Sequence, residues 1–281
     1  MNITDYLSDR AQKSPQAPAI LRGGEAISYR ELDERVWAGS TYLFGRGVRS
    51  GDTVGLLFAD EFHYALCMMA AARLGATVMG LASTISAHTR DETLRQVDAG
   101  YIVTDHEACE CVQSRVILWP KTDLPLASDR SIADTDPAAP WLYISGSGTT
   151  GAPRIIPVTH EQMAARISLD RSVLPIGSDD RVACAMSMEF TVPKLRFFDV
   201  LSSGASYVFY DRQRQSPHTA VQTCGITVFH TTVLHAEQIL QSGHSLSSLK
   251  ALLIGSSSVS DDLRERITER LTPNLYILYE K

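Results

Sequence analysis

Apolar residues fall along this chain in two alternating modes. Short dense runs bounded by turn residues read as buried strands: DTVGLLF (52–58), ATVMGL (76–81), YIVTD (101–105), RVILW (115–119) and LKALLIG (249–255). Between them lie longer stretches with helical spacing. Thr4 to Lys13 predicts a helix that stops before Pro15, and APAIL (17–21) a short strand. Ser28 and Glu31 have capping-box spacing and predict a helix running to about Gly45 or Gly47. EFHYALCMMAAARLG (61–75) and TRDETLRQVDAG (89–100) predict two more helices, each ended by glycine. Further on, GITVFHTTV (225–233), LHAEQILQSG (234–243), SDDLRERITERL (260–271) and NLYILYEK (274–281) continue as strand, helix, helix and strand.

Such alternation predicts an α/β fold of mostly parallel sheets covered by helices. The stretch from 120 to 140 is rich in proline and aspartate and reads as a connector. It separates a first α/β subdomain, 1–119, from a second, 141–281, whose sheet is incomplete at the C-terminus. Strands left unpaired there would be an association hazard.

Composition narrows the classes. The chain has 281 residues, 44% hydrophobic and 21% charged, enough for a sizeable core. A net charge of −6 gives no electrostatic case for a nucleic-acid partner. No signal peptide and no apolar run of membrane-spanning length stand out, so the chain reads as soluble and cytoplasmic. Five irregularly spaced cysteines argue for reduced thiols. His106, Cys109 and Cys111 lack a second ligand pair at zinc spacing and read as side chains near a strand end. The charged face of 264–270 reads as solvated surface.

One segment interrupts the pattern with chemistry. In WLYISGSGTTGAPRIIPVTH (141–160), seven small residues, Ser145 to Gly151, separate two strand-like runs. Gly146, Gly148 and Gly151 permit tight turning and close approach to a ligand. Ser145, Ser147, Thr149 and Thr150 add hydroxyls beside backbone N–H groups, and Arg154 adds a cation, a set suited to phosphate oxygens. The loop fails the Walker pattern because Ala152 and Pro153 replace its lysine and hydroxyl residue. Gly146, Gly148 and Gly151 do match the dinucleotide spacing, but APRIIPVTH is β-branched and interrupted by proline, so no helix opens at the third glycine.

SGTTGAPR (147–154), with its following strand and Thr159–His160, resembles the phosphate loop of the adenylate-forming superfamily, the acyl-CoA synthetases and adenylation domains. Arg154 stands at that loop's lysine, and Ile155 replaces a usual glycine. The resemblance continues through 26–58, 61–81, 185–206, 225–241, 247–263 and YILYEK (276–281), so it covers nearly the whole chain, as an N-terminal portion only.

The resemblance implies an ATP-dependent ligase that joins a carboxylic acid to AMP. It then passes the acyl group to the thiol of CoA or of a phosphopantetheine carrier protein. Ser147, Gly148, Thr149, Thr150, Gly151 and Arg154 are the implied phosphate contacts, Gly255, Ser256 and Ser257 flank the adenine, and Tyr279 stacks beside it. Glu189, Phe190, Val192, Phe229 and Thr232 are the implied acid-pocket residues, with Met186 and Met188 as gap fillers. Glu189 has two readings: it holds an amino-bearing substrate, or it pairs with Lys194 or Arg196. His160 is expected to brace the loop by hydrogen bonding, and His230 and His235 to make ordinary contacts.

The family's catalytic lysine, its Mg²⁺-holding glutamate and its small C-terminal domain have no counterpart before Lys281. The expected partners are therefore a small carboxylic acid, an acyl carrier protein and the missing C-terminal part, with no catalytic or metal-binding residue of its own. Alone, the chain is expected to be weak or inactive, because stabilising the charge at the α-phosphate needs both metal and lysine. The alternative is a non-catalytic nucleotide- or partner-binding remnant, which the Ile155 and Glu280 departures favour.

Overall fold

The computed structural model describes residues 1–111, 113–122, 124–125, 135–146, 154–255 and 258–278. Its elements, in chain order, are α1 (Asp5–Lys13), β1 (Pro18–Arg22), β2 (Glu25–Ser28), α2 (Tyr29–Gly45), β3 (Thr53–Leu57), α3 (Glu61–Arg73), β4 (Thr77–Gly80), α4 (Ala87–Gln96), β5 (Tyr101–Thr104) and β6 (Arg115–Leu118). There follow β7 (Pro140–Gly146), β8 (Arg154–Thr159), α5 (His160–Val173), β9 (Arg181–Cys184), α6 (Thr191–Ser203), β10 (Ser206–Phe209), α7 (Pro217–Thr223), β11 (Val228–Thr232), α8 (Val233–Gln241), β12 (Ala251–Gly255), α9 (Asp261–Arg270) and β13 (Leu275–Ile277).

Local chemistry explains the boundaries. Ser28 and Glu31 cap α2 reciprocally, as their spacing predicts. Asp60 accepts from the His63 N–H at the start of α3, and the Asp105 carboxylate accepts from the N–H groups of Ala59 and Asp60. Gly23 and Gly24, both at positive φ, make the two-residue turn that pairs β2 back onto β1. That Gly-Gly signal marks a strand the hydrophobic pattern alone does not reveal.

Two sheets result, both mostly parallel, in the expected class. One has the order β13-β12-β11-β9-β10-β1-β2 and the other β6-β5-β3-β4-β7-β8. Their membership corrects the expected division at the connector. β1 and β2 join the sheet built from 181–277, and β7 and β8 join the sheet built from 53–118. The two subdomains therefore interleave in sequence. β1 lies beside β10, with Ile20 opposite Tyr207, and its Ala19 and Ile20 are buried there.

Helices α3 and α6 carry apolar residues on nearly every face because both are buried nearly all round, within one core that reaches both sheets. That core includes Val54 and Val78 of the six-stranded sheet and Val182 and Tyr207 of the seven-stranded one. A second core, with Phe229, Ile239 and Leu252, fills the other face of the seven-stranded sheet under α7, α8 and α9. Among the described residues, no helix is long and apolar enough to cross a membrane.

Candidate active site

In the seven-stranded sheet the chain moves from β9 to β10 on one side, then crosses back to lay β11 on the other side of β9. The strand order thus reverses between β9 and β11. In open α/β sheets a crevice forms outside the carboxyl ends of the strands at such a reversal, and ligands bind there. The segments entering that crevice are 185–190, after β9, and 230–232, closing β11. Thr232 pairs in register with Gly255 at the end of β12, and the Leu278 N–H donates to Ile254 O, 2.8 Å away. Gly255, assigned to adenine contact, therefore stands beside Thr232, assigned to the acid.

The small-residue loop lies between two antiparallel strands. β7 and β8 pair from Pro140–Thr159 to Gly146–Arg154, so the strand after the loop is extended and no helix opens there. Arg154 is exposed at the first position of β8. Ser147, Gly148, Thr149, Thr150, Gly151, Ser256, Ser257 and Tyr279 lie outside the described residues. Gly255 is buried, and a Cβ on it would come within 3.3 Å of His230 Nε2 and 3.7 Å of Leu278 O. A residue without a side chain lets His230 and Leu278 pack this close.

The assigned acid-pocket residues are not all brought together. Thr232 is half-buried at the rim, where its hydroxyl caps α8 by accepting from the His235 N–H. Val192 is half-buried in the first turn of α6, and Phe190, just before that helix, is 56% exposed. Phe229 is drawn away, a correction to its expected place. It is fully buried in the second core, with its ring 6.3 Å from that of Tyr210. Strand alternation is the reason: Phe229 and His230 point to opposite faces of the sheet.

His230, expected to make ordinary packing or solvent contacts, is packed inside near the carboxyl end of β11. It is 2% exposed and neither ring nitrogen has a hydrogen-bond partner. Burial, with the Arg196 charge second, pushes its pKa down to about 3, so the ring is neutral. His160 is likewise neutral, its pKa lowered to about 4 by burial and secondarily by the N-terminal charge. Its Nδ1 accepts from the Ile3 N–H at 3.0 Å and its ring stacks on Trp141, so it ties the N-terminal segment to the start of α5.

Neither cation expected to pair with Glu189 forms a salt bridge with it. The Glu189 carboxylate accepts from the Ser83 N–H at 3.0 Å, across the gap to the six-stranded sheet. Lys194 turns its ammonium onto the carbonyls of Glu189 (2.7 Å) and Phe190 (3.1 Å). Burial lowers its pKa to about 7, and the Glu189 charge opposes the shift. Arg196 is taken up in the core by Asp170 of α5 and by Asp199, the latter at 2.8 Å.

Two further residues hold the 185–190 segment and were not singled out in the sequence. Glu61, first in α3, accepts from the Met188 N–H at 3.2 Å and pairs with Arg212, which follows β10. Arg212 also donates to Met186 O at 3.2 Å. Nothing local in sequence links residues 61 and 212.

The chain matches the family model described as "AMP-binding enzyme" over residues 7–279, and it belongs to that family, the adenylate-forming ligases. Among curated proteins it is 27% identical to the hybrid PKS-NRPS synthetase TAS1 of Cordyceps militaris, over 96% of this chain and 18% of that protein. It is 25% identical to the salicyl-AMP ligase / salicyl-S-ArCP synthetase of Mycobacterium tuberculosis, over 97% of this chain and 54% of that protein. It therefore spans about half of the second relative and much less of the first.

Among solved structures, the nonribosomal peptide synthetase FmoA3 superposes with a TM-score of 0.87 at 19% identity, over 99% of this chain and 31% of that one. The o-succinylbenzoate coenzyme A synthetase MenE of Bacillus subtilis, in complex with AMP, superposes with a TM-score of 0.82 at 20% identity, over 94% and 56%. These two likenesses concern the fold alone.

Proposed function

We propose that this chain is the nucleotide- and acid-holding portion of an ATP-dependent carboxylic-acid-activating enzyme. The observation that carries the reading is the reversal of strand order between β9 and β11, with Thr232 and Gly255 paired at the carboxyl ends of the neighbouring strands β11 and β12. The β7–β8 hairpin supports it by presenting a glycine- and hydroxyl-rich loop followed by Arg154. The reaction is carboxylate plus ATP to acyl-adenylate plus pyrophosphate, after which a thiol of CoA or of a carrier protein takes the acyl group.

In this reading Ser147 to Gly151 and Arg154 grip the triphosphate, and Gly255 to Ser257 with Tyr279 hold the adenine. The close packing of His230 and Leu278 on Gly255 explains why a residue without a side chain stands at this strand end. Phe190, Val192 and Thr232 border the acid, and Glu189 carries the 185–190 segment against the β4–α4 connection. Among the described residues, no group of three His, Cys, Asp or Glu side chains could hold a metal ion. In this reading Mg²⁺ offsets the negative charge of the phosphates, with its protein ligand largely outside this chain.

The test is acid-dependent exchange of labelled pyrophosphate into ATP by the protein that carries this chain, over fatty, aryl and amino acids. Stimulation by at least one acid, abolished by Thr150→Ala and retained in Arg154→Lys, is the expected result. Absence of exchange with every acid, in folded protein that binds ATP, would leave the nucleotide-binding remnant in its place.

A further inference from the structure

The segment from Ala185 to Phe190 leaves the sheet at the reversal point and is anchored along its length. The Ala185 N–H donates to His230 O at 2.8 Å, and Lys194 holds the carbonyls of Glu189 and Phe190. The middle of the segment has a different anchor. Glu61 and Arg212 meet side chain to side chain, Glu61 accepts from the Met188 N–H, and Arg212 donates to Met186 O. One charge pair thus engages the backbone at both ends of a three-residue span.

The origin of the two charges gives the arrangement its meaning. Glu61 begins α3, the helix that follows the carboxyl end of β3 in the six-stranded sheet. Arg212 follows the carboxyl end of β10 in the seven-stranded sheet. Neighbouring Asp60 pairs with Arg22, at the end of β1, so the N-terminus of α3 reaches that sheet twice. The side chains of Glu61 and Arg212 keep only 20% and 28% of their exposure, and in a pair so far withdrawn from water the desolvation cost offsets much of the Coulombic gain. Its geometric content is larger. A planar guanidinium can serve a carboxylate and a carbonyl together, which a lysine ammonium cannot do in the same fixed directions.

We propose that Glu61 and Arg212 are positioning residues that fix the 186–188 backbone, and with it one wall of the acid pocket, against the N-terminus of α3. The pocket part of this inference rests on the functional reading above, and the anchoring part does not. Both residues act through the segment they hold and not on the reacting atoms.

The experiment has two arms on the same proteins: wild type, Glu61→Ala, Glu61→Gln, Arg212→Ala and Arg212→Lys. The first arm is hydrogen exchange at the Met188 amide and its neighbours, which needs no catalysis. Glu61→Ala and both arginine variants are expected to speed exchange at 186–188 about tenfold or more, with core amides unchanged. Glu61→Gln keeps an acceptor oxygen and restores part of the protection. Unchanged exchange in Glu61→Ala, or a uniform rise across the whole fold, overturns the anchoring.

The second arm is pyrophosphate exchange with the best acid. The expected result is an acid KM raised about tenfold in the alanine variants, with the ATP KM and kcat within about threefold of wild type. An acid KM that stays put while 186–188 loosens overturns the assignment to the pocket wall. If wild type activates no acid, the functional reading fails, and the amide arm still decides the anchoring.

Discussion

His230 on β11 and Gly255 at the end of β12 share one narrow space: the ring Nε2 stands 3.3 Å from where a Cβ on residue 255 would sit. Gly255→Ala forces the ring or the strand end to move by a few tenths of an ångström. Overpacking of this kind destabilises by about 1–3 kcal/mol. ATP affinity should fall more than that small movement suggests, by about tenfold or 1.4 kcal/mol, because the added methyl occupies the rim itself. Paired calorimetric titration and denaturant melts of Gly255→Ala check this. Unchanged ATP binding would remove Gly255 from the nucleotide site.

The two neutral histidines set an acid limit. Folded pKa values of about 3 for His230 and about 4 for His160 lie below the ordinary value near 6.5. On acidification the unfolded chain therefore takes up protons first. Their stabilising effect is complete above about pH 6.5 and is lost as pH falls toward the folded values. At pH 5 each histidine should have lost about 2 kcal/mol. The gap between urea midpoints at pH 7 and pH 5 should shrink by about half in His160→Gln, whose side chain can still accept from the Ile3 N–H, because His230 keeps its share.

Lys194 works on the alkaline side. Its folded pKa, about 7, lies below its ordinary value near 10.4. Between these values the unfolded chain binds the extra proton, so stability rises with pH from 7 upward and the burden of the buried charge is full below 7. Wild type should gain about 2 kcal/mol relative to Lys194→Met between pH 7 and pH 9. Parallel slopes for the two proteins would show that the ammonium is better solvated than its burial implies.

Arg196 should be the most sensitive charge in the core. It is 1% exposed and lies between Asp170 and Asp199. Burial pushes the Asp199 carboxyl up to about 7, against the pull of Arg196. Arg196→Met leaves Asp199 buried without its cation and Asp170 with Arg166 alone, and should destabilise by about 3–5 kcal/mol. Arg196→Met/Asp199→Leu should recover part of that loss, measured as the shift in Tm. A double variant no better than the single would mean that packing around the guanidinium matters more than its charge.

Much of the fold was legible because strand and helix signals are local. The capping box at Ser28 and Glu31 spans only three residue steps, and the glycine-closed α3 needs only its own apolar residues. β2 has no hydrophobic run of its own, and its Gly23–Gly24 turn is the local signal for it. α5, β9, β10 and α7 carry weaker periodicity and were not resolved as separate elements before the structure. At the site, the loop at 147–154 and the order of segments suffice to reach the family, because that chemistry is written in consecutive residues.

What the linear chain determined by itself is thus the class of fold, the family and the candidate phosphate loop. Tertiary structure alone decided the interleaving of the two sheets, the turning of Phe229 into a second core and the meeting of Glu61 with Arg212 across 151 positions. The physical reason is that hydrogen-bonding propensity and apolar period act over a few residues. Which edge a strand joins, and which charge another charge meets, depend on packing between distant segments, and no local pattern encodes that.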